Sequence, residues 1–259
     1  MSWLHLDRDG EVWRLIIDRP ERKNAIPFDG WPAMGEALGE FEASTARVLI
    51  VTGAGGEFCA GADLDPDRVP ALATQVARHR RMKEVGAVAT RLHRLPKPTI
   101  AAVDGVAVGA GMNLALGCDL VIATTRARFS EIFVRRGLAV DFGGSWLLPR
   151  IVGLGRAKEL ALTGRMVDAD EALRLGLVLE VVEPEALAGR ALELANSLLE
   201  GAPLAQTLTK QTLDAAFESS FAESVGWEGQ SQSILLGTED AAEGVSSFME
   251  KRPPVWKGR

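Results

Sequence analysis

Apolar residues in this chain fall into short β-branched runs separated by longer stretches with helical spacing, and the alternation predicts most of the elements. Residues 11–18 (EVWRLIID) and 47–52 (RVLIVT) read as strands, with a loop at 19–25 and a helix over about 31–41 between them. The plan then repeats. A long helical stretch over 69–95 is broken by Pro96 and Pro98, and a strand at 99–103, a helix near 111–116 and a strand at 120–123 follow. These are strand-strand-helix turns rather than strict alternation of strand and helix.

Beyond Gly143 the pattern becomes mainly helical. Asp168 with Glu171 makes a start resembling a capping box, and Gly176 closes that helix before an apolar strand at 177–182. Pro203 opens a helix with Leu204 and Leu208 on one face, and two more helices begin near Phe221 and Glu239. The predicted architecture is α/β, with a core over residues 1–195 and a helical C-terminal subdomain over 196–259.

Composition narrows the classes. At 259 residues the chain can bury a full core, and a formal charge of −6 argues against a general nucleic-acid binder. No run approaches the roughly 18 apolar residues of a membrane span. Residues 1–10 carry His5, Asp7, Arg8 and Asp9 instead of the apolar stretch of a secretion signal, and Cys59 and Cys118 show no CxxC spacing, so a reducing cytoplasm is expected. His5, His79 and His93 lack metal-ligand spacing, and no metal is expected.

Two small-residue segments carry the chemistry. AGADL (60–64) and VGAGMN (108–113) each follow a predicted strand and precede residues suited to a helix start. Small residues there let a ligand atom approach the main chain, so the segments can aim two backbone N–H groups at one oxygen, with a helix start near 110–111 adding its positive end. The run VLIVTGAGG (48–56) imitates the opening of a dinucleotide-binding domain. It continues as Glu57-Phe58-Cys59 instead of a third glycine, and the chain has no tyrosine to serve as the general acid of short-chain dehydrogenases.

RPERKNA (19–25), EFCAGADL (57–64), AVDGVAVGAG (102–111), CDL (118–120), GGS (143–145), ED (239–240) and FMEKR (248–252) together resemble, in order, the crotonase superfamily of enoyl-CoA hydratases and isomerases. The resemblance spans nearly the whole chain. It implies a crotonase-like spiral of ββα units, acyl-CoA as substrate with no separate cofactor, and a homotrimer or a hexamer built as a dimer of trimers. It places Ala62 and Ala110 as the oxyanion-hole residues. It also sets Arg22, Lys23, Ala25, Ala60, Asp63 and Leu64 along the CoA channel, and Phe248 and Lys251 against the CoA of a neighbouring subunit.

The positions that hold two catalytic glutamates in the family's hydratases here hold Asn113 and Phe133, neither of which exchanges protons usefully near neutral pH. GLAVDFGGSWLLPR (137–150) resembles the segment with the catalytic aspartate of ring-epoxide, Δ3,Δ2-type and dienoyl-CoA isomerases, and Asp141 falls on that aspartate. Residues 105–120 likewise resemble the phenylacetate-pathway isomerases more than the hydratases. Asp141 reads either as a base or as a cap of the following helix. Glu131 reads as a surface or capping group, and Asp63 and Asp104 as structural, Asp63 capping a helix after the first segment. Met112, Phe133, Leu138 and Trp146 are expected to shape the acyl pocket, and residues 65–81 to form its mobile wall. The functional expectation is an isomerase of unsaturated acyl-CoA. An atypical hydratase and a non-catalytic acyl-CoA-binding protein remain as alternatives.

Overall fold

The computed structural model describes residues 3–27, 29–64 and 74–259. Six strands form the main sheet: β1 (Leu4–Asp9), β2 (Val12–Ile17), β3 (Val48–Gly53), β4 (Thr99–Val103), β6 (Leu120–Thr124) and β9 (Glu180–Val182), in the order β1-β2-β3-β4-β6-β9. Only the β1/β2 pair is antiparallel; every other neighbour runs parallel. A smaller sheet holds β5 (Val106–Val108), β7 (Arg128–Ser130) and β8 (Val167–Asp168).

The connections produce a spiral. β4 passes to β5 through Asp104-Gly105 and on to α3 (Ala110–Leu116), while β6 passes to β7 and then, through a 3-10 turn at Ile132–Arg136, to α4 (Gly144–Val152) and α5 (Leu154–Thr163). Each turn thus places one strand in either sheet before its helix. The same small sheet continues to Cys59, which bridges Ala107 in parallel.

Parallel strands covered on both faces must be apolar throughout, and β4 (TIAAV) is buried at all five positions. The principal core lies against α1 (Trp31–Ala43) and α2 (Gln75–His93), with Trp31, Phe41, Phe58, Phe129 and Leu92 almost wholly excluded from water. A second cluster covers the other face, where Leu187, Ala191 and Ala195 of α7 (Leu187–Leu199) meet Val48, Ile100 and Ile122. α6 (Ala169–Leu175) precedes β9, and α8 (Pro203–Ala215), α9 (Phe221–Leu235) and α10 (Glu239–Glu250) complete the chain. Among the described residues no helix is long and apolar enough to cross a membrane.

The differences from the predicted elements have local causes. β1 was not expected, yet Leu4 and Leu6 alternate with polar residues and a tight turn at Gly10-Glu11 pairs Asp9 with Val12. The strand expected at 177–182 is confined to Glu180–Val182. The long helix begins at Gln75, where the Thr74 side chain accepts from Ala77 N–H; its expected start, and residues 65–73 of the expected wall, lie outside the described residues. Asp168 caps α6 through Glu171 N–H, but the Glu171 carboxylate turns to Arg165 instead of closing a box.

Candidate active site

The small-residue segments lie side by side. Cys59 N–H donates to Val106 O at 2.8 Å and Val108 N–H to Cys59 O at 3.0 Å, joining the strands that lead into them. Ile26 N–H donates to Gly61 O and Asp63 N–H to Ile26 O, both at 2.8 Å. In this parallel pattern Ile26 pairs with the residues flanking Ala62, so the Ala62 N–H faces away from it. Ala110 is the first residue of α3, where an N–H has no acceptor within the helix. Gly61 permits the approach: its φ is +90°, and a Cβ there would stand 2.7 Å from Val108 O and 3.5 Å from Ala110 N.

The 19–25 loop braces the first segment through residues that sequence reasoning quoted but did not single out. Asn24 is fully buried at φ +56°; it accepts from Arg19 N–H at 2.7 Å and donates to Ala54 O at 2.8 Å and Glu57 O at 2.5 Å. The buried Arg19 guanidinium donates to Ala25 O at 2.5 Å and to Asp63 at 3.0 Å. Asp63 is thus the buried ion-pair partner of Arg19, and the residues of the helix it was expected to cap lie outside the described residues. Ala60 N–H donates to Lys23 O at 2.9 Å, while the Lys23 ammonium is exposed and 3.1 Å from Glu57. Leu64 is half exposed beyond this brace.

Cys59, in the strand leading into the first small-residue segment, is unsuited to act as a nucleophile. Burial pushes its thiol up to about 12 against a slight opposing contact with Gly61, so the thiolate is absent at neutral pH.

Glu131 and Asp141 meet at Asn113, which is fully buried on α3. Its Nδ2 donates to the backbone carbonyl of Asp141 at 2.9 Å and lies 3.4 Å from Glu131 Oε2. A Cβ on Gly144 would fall 2.3 Å from that amide, so the turn into α4 needs glycine there to accommodate Asn113. Phe133 is buried with its ring near Gly109, and Met112 is buried in the main core. Leu138 is half exposed.

Asp141 does not cap α4. The helix starts after Gly143 with no side-chain cap, and among the described residues the buried Oδ1 of Asp141 has no hydrogen-bond partner. Burial raises this carboxyl to about 6. Glu131 overturns the surface or capping reading. It is 1% exposed, its Oε1 is likewise without a partner among the described residues, and it precedes the 3-10 turn without capping it. Burial raises its carboxyl to about 7, opposed by the Asn113 hydrogen bond and assisted by the charge of Asp141.

The elevated Asp141 value has a measurable cost. Folding disfavours its carboxylate, so stability falls as pH rises from about 4, the ordinary carboxyl value, through about 6, and the full loss persists above that window. Asp141→Asn is expected to raise unfolding free energy at pH 8 by on the order of 2–3 kcal/mol. The gain should vanish below about pH 4. Urea titrations at the two pH values check this, and equal midpoints at pH 8 would contradict it.

A cavity of about 730 Å³ adjoins this cluster, walled by Asn113, Phe142, Trp146, His93, Lys210 and Asp214 among others. Ala62, Ala110, Glu131 and Asp141 are not among its wall residues, so the cavity reaches the cluster at Asn113 and Phe142 and does not enclose the paired segments. Trp146 is fixed there by Glu218 on its indole N–H at 3.1 Å and by the Arg150 guanidinium 3.8 Å over its ring.

Comparison with known proteins places this arrangement. Residues 7–259 match the family model described as enoyl-CoA hydratase/isomerase. The chain is 39% identical to the 1,2-epoxyphenylacetyl-CoA isomerase of Escherichia coli K12 over 255 residues, covering 96% of this chain and 95% of the relative. It is 38% identical to the short-chain-enoyl-CoA hydratase of Clostridium acetobutylicum over 250 residues, covering 95% and 94%. Among solved structures, an enoyl-CoA hydratase from Bacillus anthracis superposes with a TM-score of 0.94 at 31% identity, with both chains covered completely.

Proposed function

Because the chain belongs to the enoyl-CoA hydratase/isomerase family, we propose that it moves the double bond of an unsaturated acyl-CoA, with Asp141 as the base. The observation that carries this reading is the Asp141 carboxyl, on a residue whose backbone carbonyl Asn113 holds, with one buried oxygen unpartnered among the described residues and burial raising it toward neutrality. The thioester oxygen sits between the Ala62 and Ala110 N–H groups. Asp141 takes a proton from the acyl chain, the C–H electrons enter the conjugated system, and negative charge collects on that oxygen. Asp141, whose proton exchanges with solvent between the two steps, then delivers a proton to another carbon of the system, and the thioester carbonyl reforms. Neither Asn113 nor Phe133 takes part in proton transfer.

Arg22, Lys23, Ala25, Ala60 and Leu64 border the CoA in this reading. Phe248 is 81% exposed on α10, in keeping with a role for Phe248 and Lys251 at the CoA of a neighbouring subunit in a homotrimer or a pair of trimers. Exposed Phe221, Ile234, Leu236 and Met249 supply apolar surface for such an assembly.

Hydration is the second reading, and Glu131 favours it by supplying a second carboxyl. The relatives named above include one protein named an isomerase and one named a hydratase. Product analysis with 2-enoyl-, 3-enoyl- and dienoyl-CoA separates the readings. A shifted double bond is the expected result; a 3-hydroxyacyl product favours hydration, and tight binding without either product favours a non-catalytic acyl-CoA-binding protein.

A further inference from the structure

Glu131 is a buried titratable group that the proposed proton transfer leaves without a task. It is 1% exposed on the strand-to-turn junction after β7, and its polar neighbour is the Asn113 amide that also holds the Asp141 carbonyl. Three acceptor atoms of this cluster, Asn113 Oδ1, Glu131 Oε1 and Asp141 Oδ1, are buried without partners among the described residues. Orphaned acceptors on three residues linked through one amide are costly, because each has given up water without gaining a partner. A proton on Glu131 turns one of them into a donor, and Asn113 Oδ1 belongs to the amide that Glu131 already approaches.

The surrounding charges leave the pair to itself. On the same turn, Arg135 donates to Thr163 O at 2.8 Å and Arg136 to Arg135 O at 3.4 Å, both exposed. α5, packed on that turn, contributes exposed Arg156 and Lys158, and Glu159, which is bound to Arg156 and Arg165. Glu171 of α6 is held by Arg165, Asp168 caps its own helix, and α3 contributes the neutral Asn113. Asp141 is the charge that acts on Glu131.

We propose that Glu131 is a positioning residue acting through Asn113: it retains a proton while Asp141 is ionised, so that the pair carries one negative charge during turnover, and loss of that proton disables the site. Two ionised carboxylates around one amide would repel and leave more buried charge unpaired, which is why such pairs titrate in two coupled steps. The inference rests on the base role of Asp141 only for its kinetic consequence; the coupling itself is independent of the reaction.

Two measurements decide it. Carboxyl ¹³C NMR titration of wild type and Asp141→Asn is expected to show the Glu131 midpoint falling by about one pH unit when the Asp141 charge is removed. An unchanged Glu131 midpoint overturns the pairing. In pH profiles of kcat/KM, wild type is expected to be bell-shaped, and Glu131→Gln to lose the alkaline limb while its acidic limb stays close to the wild-type position, because Asp141 ionises beside a neutral partner in both proteins. An alkaline limb that persists in Glu131→Gln overturns the positioning role. Absence of any double-bond shift in wild type sinks the isomerase reading instead, and the NMR arm still decides the pairing.

Discussion

Asp141→Asn is expected to lower turnover of a double-bond shift by about 10²–10⁴-fold, the usual contribution of a positioned general base, while acyl-CoA affinity stays within a few-fold of wild type. The substitution keeps shape and removes the proton acceptor. It also spares the architecture, because Asn113 binds the backbone carbonyl of Asp141 and not its carboxylate, and the carboxylate caps no helix. A fall confined to kcat places the loss in the chemical step; an equal rise in KM would point to binding. Kinetics alongside direct binding of a saturated acyl-CoA distinguish the two, and wild-type turnover in the variant would remove Asp141 from the mechanism.

The second large effect is expected at Gly61. Gly61→Ala places a Cβ 2.7 Å from Val108 O at a φ of +90°, so the 59–62 segment must move from the strand leading to Ala110. Ala62 follows it, and one donor of the proposed oxyanion hole leaves its position. Loss of one such donor costs about 2.7–4 kcal/mol, which corresponds to a fall in kcat of about 10²–10³-fold. Circular dichroism and thermal melts establish that the fold persists. A folded Gly61→Ala protein with undiminished turnover would show that the paired segments do not stabilise the developing charge.

Much of the spiral was legible because its strands are short β-branched runs bounded by glycine and proline. Elements such as β5 and β7, three residues each, are too short to carry periodicity and form only when the chain has wound back on itself. β1 was hidden because half its residues are charged, as suits an edge strand whose polar positions face water. At the site, the small-residue segments stood out by composition. The Arg19–Asp63 ion pair did not, since its members are 44 residues apart.

Glu131 was the harder case. Within SEIFVRRG a glutamate near two arginines resembles a solvated turn, and nothing local indicates that Asn113, 18 residues earlier, will close over it. Its neighbour Phe133, at the position given to a catalytic glutamate by the family resemblance, drew attention from a carboxyl two residues away. The signal available in sequence was the coincidence of an amide at 113 and carboxyls at 131 and 141, and the packing of α3 against α4, with the Asn113 hydrogen bonds, unites them.

The central claim is that one base moves one proton over a stabilised enolate. Incubating wild type and Asp141→Asn with 3-enoyl-CoA in heavy water and following deuterium at the carbons flanking the double bond tests it most directly. Wild type should shift the double bond, with deuterium entering only at those carbons, and Asp141→Asn should do neither. Addition of water to the double bond, undiminished in Asp141→Asn, would contradict the account.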